Sequence, residues 1–265
     1  MDTMARLPSN YVDLIVTSPP YDNLRKYQGD VDKTWNEEVW KPIVKELFRV
    51  TKDGGVVVWV VGDATINGSE SGTSFKQALW FMECGFKLHD TMIWHKTAIP
   101  KTHKRYEQAF EYMFVFVKVG LSTFNPIKIK VKNVGRKHTR GRAEITALTH
   151  PTSASAGIYK SNGCKYSHEK IADNIFYYSV GHNQTSKDSF VFGHPAPFPE
   201  RLAADHIQTW SNEDDLIYDP FGGSGTTAKM ARLLGRKWIM SEISKEYCDI
   251  AYKRTCFDDL FLTDK

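Results

Sequence analysis

Apolar positions change period several times along the first 120 residues, and each change marks an element. Residues 12–16 (Val-Asp-Leu-Ile-Val) form a short apolar run that stops at Ser18-Pro19-Pro20. Proline cannot donate to a ladder and restricts the residue before it, so a buried strand is expected to end there. Trp35, Val39, Ile43 and Leu47 then recur every fourth residue, which predicts an amphipathic helix over 35–50. Gly54-Gly55 closes that unit. The valine-rich run 56–61 has no polar alternation, the mark of a strand covered on both faces. A Gly/Ser loop at 67–74, a helix over 75–84 and strands over 86–94 and 112–119 follow.

After Leu121 the periodicity weakens as far as about Ser189. That stretch is rich in Gly, Ser, Thr and Asn, with short β-like pieces such as 127–131. Regular alternation resumes with a helix over 199–210, where Pro199 suits the first turn. Strand 215–218, helix 226–235, strand 237–241 and helix 244–254 complete the chain. Alternating units of this kind imply an α/β fold, a mostly parallel, doubly wound Rossmann-like sheet with helices on both faces. The expected division is 1–120, an inserted segment 121–189, and 190–265.

Charge sharpens this division. The net charge is only +4 over 265 residues, but between Lys118 and Lys170 there are eleven Lys or Arg against Glu144 and Glu169. That local balance of +9 leaves the rest of the chain at −5. A basic segment on an acidic body suggests a polyanion as its partner. The apolar runs are too short to span a bilayer and no charged-then-apolar leader opens the chain, so neither membrane anchoring nor secretion is expected. Cys84, Cys164, Cys248 and Cys256 show no CxxC spacing, which points to a reducing cytoplasm and no zinc site.

Two motifs carry the candidate chemistry. Asp219-Pro-Phe-Gly-Gly-Ser-Gly-Thr-Thr227 sits at the carboxyl end of a strand, where open α/β sheets bind ligands. Its glycines allow a sharp turn and close approach, and a helix N-terminus follows. No GK[ST] follows, so a phosphate-gripping loop is disfavoured. Glu242 ends the next strand, placed to accept the hydroxyls of a ribose. Asp219 is placed to meet a cationic group. S-adenosylmethionine, with a ribose, an ammonium and a sulfonium but no phosphate, fits this set. Ser18-Pro19-Pro20-Tyr21 is the second motif: a rigid corner with no N–H, a small acceptor in Ser18 and a flat ring in Tyr21. It suits a planar ring carrying an exocyclic amino group, held while its nitrogen attacks an electrophilic methyl carbon.

Val16-Thr-Ser-Pro-Pro-Tyr21 resembles the catalytic motif of amino-methylating DNA methyltransferases. The segment 219–227 resembles their cofactor motif, and His194-Pro-Ala-Pro-Phe198-Pro-Glu-Arg-Leu202 the segment that precedes it and closes over the cofactor. Catalytic motif first, basic variable region next and cofactor motif last is the order of the circularly permuted beta class. The resemblance implies a site-specific DNA methyltransferase using S-adenosylmethionine, with Ser18, Pro19, Pro20 and Tyr21 catalytic. It implies cofactor contacts from Asp219, Phe221, Gly223, Ser224, Gly225, Thr226, Thr227, Glu242, His194 and Phe198. The Thr-Ser-Pro-Pro-Tyr form is the one associated with cytosine N4; adenine N6 is the alternative. A protein-amide methyltransferase and a non-catalytic DNA-binding relative are more remote, and a dinucleotide-dependent oxidoreductase lacks its GxGxxG spacing. A buried amino group requires base flipping. No cysteine follows a proline, so a covalent carbon-5 mechanism is not expected, and no metal is needed. The segment 121–189 would recognise double-stranded DNA, with Arg136, Lys137, Arg140 and Arg142 as its densest basic cluster and Tyr106 as a wall of the base pocket. A homodimer and a cognate restriction endonuclease are the partners implied, in a bacterial or phage-encoded cytoplasmic enzyme.

Overall fold

The computed structural model describes residues 2–21, 35–96, 104–130, 168–180, 185, 186, 188 and 199–256. In chain order the elements are α1 (Asp2–Arg6), β1 (Val12–Thr17), α2 (Glu37–Val50), β2 (Thr51–Val61), β3 (Thr65–Ile66), β4 (Ser69–Glu70), α3 (Thr73–Glu83), β5 (Phe86–His95) and β6 (Phe110–Lys118). There follow β7 (Lys128–Lys130), β8 (Glu169–Ile171), β9 (Ile175–Tyr177), α4 (Glu200–Trp210), β10 (Leu216–Asp219), α5 (Thr226–Leu233), β11 (Lys237–Met240) and α6 (Lys245–Cys256). Seven strands make one sheet in the order β11-β10-β1-β2-β6-β5-β9. The pairs β11–β10, β10–β1, β1–β2 and β5–β9 are parallel, whereas β6 runs antiparallel to both β2 and β5. That single reversal matters for the site, because it brings the beginning of β6 to the edge where its neighbours end.

The valine run of β2 behaves as its composition predicts. Val57, Trp59 and Val61 enter one core with α2 and α3, while Val56, Val58 and Val60 enter the other with α4 and Ala231 of α5. Alternate residues of a strand point to opposite faces, so only a strand covered on both sides can bury six in succession. The strand is longer than the 56–61 expected from sequence. It begins at Thr51 and passes through Gly54-Gly55 with a register shift against β1, since Gly55 leaves room for the Asp13 carbonyl, which would lie 2.9 Å from a Cβ there. Helix α2 starts at Glu37 rather than Trp35: Asn36 caps it, its side chain accepting from the Val39 N–H. Its buried face is Trp40, Ile43, Val44, Leu47 and Val50.

The expected insertion is divided differently. Residues 126–172 form a compact unit of their own, while residues up to Asn125 and from Asp173 form the body. Strand β9 pairs with β5 as the seventh strand of the main sheet, and Asn125 donates its N–H to the Thr209 carbonyl at the end of α4. Within the small unit, β7 and β8 form an antiparallel ribbon. Arg136, Lys137, Arg140, Arg142, His194 and Phe198 lie outside the described residues. Among the described residues, no helix is long and apolar enough to cross a membrane.

Candidate active site

The two motifs meet because β1 and β10 are parallel neighbours, with Leu14 opposite Ile217 and Ile15 opposite Tyr218. Their carboxyl ends therefore lie side by side, and the residues joined there, Thr17 and Asp219, are 202 positions apart in sequence. The Thr17 hydroxyl donates to Asp219 Oδ1 at 2.6 Å, and the Thr227 hydroxyl donates to the Val16 carbonyl at 3.1 Å. These bonds tie the catalytic and cofactor motifs to one another before any ligand is present.

At the corner after β1, Ser18 Oγ lies 3.0 Å from the Tyr21 hydroxyl, and Tyr21 donates to Glu111 Oε2 at 2.6 Å. Glu111 opens β6 and is buried; its other carboxylate oxygen is paired with the Lys96 ammonium just past the end of β5. A Cβ added to Gly62 would lie 3.5 Å from both the Tyr21 ring and Glu111 Cγ, so that glycine backs the corner at van der Waals distance. Neither Glu111 nor Lys96 stands in a motif, and sequence reasoning passed over both. Their only signal was a charged residue at either end of two apolar strands.

On the cofactor side, Asp219 is 1% exposed, and burial raises its carboxyl to about 6. Hydrogen bonding from Thr17, Thr227 and the Phe221 N–H opposes that rise, and the nearby Glu242 charge adds to it. Oδ1 accepts from Thr17 and from Phe221 N at 3.0 Å, whereas buried Oδ2 has no partner among the described residues. An orphaned, buried carboxylate oxygen at a strand end is an acceptor waiting for a cation. The turn that follows is packed too tightly for side chains at two positions. A Cβ on Gly222 would lie 2.4 Å from Met240 Cε and 3.0 Å from its Cβ. Gly225 has φ +78°, and a Cβ there would stand 2.7 Å from that of Ala251 on α6.

Several expected ligand contacts serve the loop itself. Glu242 accepts from the N–H groups of Gly223 through Oε2 and of Ile243 and Ser244 through Oε1. Oε2 therefore keeps one free lone pair for a ligand hydroxyl. Ser224 and Thr226 accept from a guanidinium, that of Arg254 on α6. Phe221 packs edge-on to Trp35 and Trp59 at centroid distances of 5.4 and 6.0 Å. Tyr106 is fully exposed.

Arg254 is the second feature that sequence reasoning missed. Its side chain is fully buried, and it also donates to Glu200 at 2.6 Å, Asp188 at 3.0 Å and the Ser224 carbonyl at 2.9 Å. Lys229 joins the same two carboxylates at 2.8 and 3.0 Å. Burial pushes Asp188 and Glu200 upward, but hydrogen bonds and the charges of Lys229 and Arg254 outweigh it, and both lie below the usual carboxylate range. A closed set of paired charges thus anchors the glycine-rich turn to α4, α5 and α6.

A sequence model of DNA methylases, the N6/N4 methyltransferase family, matches residues 12–253, nearly the whole chain. The protein belongs to this family. The methylase is 50% identical over 247 residues to the orphan methyltransferase M.BamHII of Bacillus amyloliquefaciens, covering 92% of this chain and 88% of that one. It is 26% identical over 256 residues to the DNA adenine methyltransferase YhdJ of Escherichia coli K12, covering 95% and 78%. In fold it matches the cytosine-N4-specific PvuII DNA methyltransferase with a TM-score of 0.65 at 20% identity, over 95% of this methylase and 82% of that chain. It also matches a DNA modification methylase of Thermus thermophilus, TTHA0409, solved with S-adenosyl-L-methionine, with a TM-score of 0.62 at 21% identity, over 97% and 90%.

Proposed function

We propose that this DNA methylase transfers a methyl group from S-adenosylmethionine to the N4 amino group of a cytosine flipped out of DNA. The observation that carries this reading is the junction of Ser18 with Asp219. A small hydroxyl stands at the end of β1, and the neighbouring strand presents a buried carboxylate with one oxygen unsatisfied. The residues present fit the cofactor. Asp219 Oδ2 would take its ammonium, Glu242 Oε2 a ribose hydroxyl, and the turn at Gly222 and Gly225 its close approach. S-adenosylmethionine supplies a methyl carbon made electrophilic by its sulfonium; the base nitrogen's electron pair forms the N–C bond as the S–C bond breaks, and one proton leaves that nitrogen for solvent.

The protein's own part is positional. Tyr21 offers a ring on which the flipped base stacks, an interaction worth roughly 1–3 kcal/mol per base, against a flipping cost of a few kcal/mol. Ser18 Oγ and the carbonyls of the Pro-Pro corner accept the amino hydrogens. This draws the nitrogen lone pair out of conjugation and aims it at the methyl group. Adenine N6 is the second reading, favoured by the YhdJ likeness; the serine in place of an acidic or amide residue at position 18 favours cytosine. The likeness to an orphan methyltransferase supports a solitary enzyme over one paired with an endonuclease.

Incubation with S-adenosylmethionine and unmodified mixed-sequence DNA, followed by nucleoside mass spectrometry, decides the base. N4-methylcytosine that vanishes with Ser18→Ala is the expected result. Methyladenine would overturn the choice of base while retaining the site. A full yield of methylated nucleoside from Ser18→Ala would overturn the site.

A further inference from the structure

The corner after β1 contains a chain of four groups whose direction can be worked out from hydrogen counting alone. Lys96 can only donate, and the Glu111 carboxylate can only accept. The Tyr21 hydroxyl, 2.6 Å from Glu111 Oε2, therefore spends its one proton on that carboxylate. Its oxygen is left as an acceptor, and Ser18, 3.0 Å away, spends its own proton there. What remains on Ser18 Oγ toward the cleft is lone pairs.

A donor-only amino group needs an acceptor opposite it. Without Glu111, the Tyr21 proton is free to turn toward Ser18, and the Ser18 proton is then free to face the base. Donor would meet donor, and the pull on the nitrogen lone pair would be lost. We infer that Glu111, clamped by Lys96, is a positioning residue that fixes the direction of the Tyr21–Ser18 hydroxyl chain and so makes Ser18 an acceptor for the amino group of the target base. This rests on the reading that Ser18 holds that amino group. The antiparallel β6 makes the arrangement possible, since it delivers Glu111 to the edge where β1 and β5 deliver Ser18 and Lys96.

Lys96 gives the test its sharpness. In Glu111→Gln the amide carbonyl would turn to the Lys96 ammonium, which leaves the NH2 group facing Tyr21 and reverses the chain. In Lys96→Met/Glu111→Gln the amide is free to turn its carbonyl back to Tyr21. Single-turnover methylation of unmodified bacterial DNA should fall at least about tenfold in Glu111→Gln, an amount within the worth of a charge-assisted hydrogen bond. The dissociation constant for S-adenosylmethionine should stay within about twofold. In a Tyr21→Phe background, which keeps the stacking ring, Glu111→Gln should change the rate by less than about twofold, and the Lys96→Met/Glu111→Gln pair should recover part of the rate that Glu111→Gln loses. A double-mutant cycle of this kind isolates action through a shared partner.

Equal losses from Glu111→Gln in the wild-type and Tyr21→Phe backgrounds would overturn the inference, as would a wild-type rate for Glu111→Gln. A second cycle does not depend on how Glu111 variants fold. Tyr21→Phe should slow the reaction in the wild type and add nothing in Ser18→Ala, and losses that add would overturn the chain. Undiminished methylation by Ser18→Ala would mark failure of the underlying reading rather than of the chain alone.

Discussion

Asp219 shows how one side chain can be costly to the fold and needed by the site. Its carboxyl rises from an ordinary 3.8 to about 6, so it binds a proton in the folded state over a window where the unfolded chain has already released it. Stability from this group is thus greatest below pH 4 and is lost as pH rises through 6, about 3 kcal/mol in all. A bound ammonium reverses the preference by favouring the ionised form. Affinity for S-adenosylmethionine should therefore weaken about tenfold per pH unit below pH 6 and level off above it, as isothermal titration would show. Asp219→Asn should bind roughly 10- to 100-fold more weakly at pH 8, the worth of a charge-assisted hydrogen bond, with no slope between pH 5 and 7. A slope that persists in the amide variant would place the titrating group elsewhere. At this scale the sequence was most legible. Ser18, Tyr21, Asp219 and the glycines sit in motifs whose spacing already demands a corner and a turn. Glu111 and Lys96 were illegible, because nothing local marks a charged residue at a strand terminus as one end of a hydrogen-bonded chain.

Among the elements, boundaries were read to within a few residues wherever a periodic apolar face or a cap declared them, as with α2 and its Asn36 cap. The role of α6 was not read. Its pattern is that of an ordinary terminal helix, yet it carries Arg254 into a fully buried network that grips Ser224 and Thr226 in the glycine-rich turn. Removing one partner of a buried ionic set typically costs about 3–5 kcal/mol, since the charges left behind remain desolvated. Arg254→Met should lower the melting temperature by roughly 6–20 °C and weaken S-adenosylmethionine binding in parallel. Arg254→Lys should rescue little, because one ammonium cannot reproduce the guanidinium's planar fork of donors. An unchanged melting temperature in the methionine variant would show that Asp188, Glu200 and Lys229 close the network without it.

For the whole molecule, charge is divided between an acidic body and a basic segment, and DNA affinity should follow the segment. Each phosphate contact contributes about 0.9 to the slope of log K against log salt. Replacing Arg136, Lys137, Arg140 and Arg142 together by Gln should flatten that slope by up to about 3.6, with S-adenosylmethionine affinity unchanged, in fluorescence-anisotropy titrations across salt. A slope unaltered by all four changes would move the phosphate contacts to another surface. By itself the sequence determined the α/β alternation, the doubly covered β2, the two motifs and their permuted order, because each is written in periodicity, glycine and proline placement or contiguous residues. Only the tertiary structure decided that β9 joins the main sheet, that β6 runs backwards, and that Glu111, Lys96 and Arg254 converge on the two motifs. Pairings between strands and salt bridges between helices are set by the balance of burial and desolvation over distant segments, and no window of the chain contains both partners.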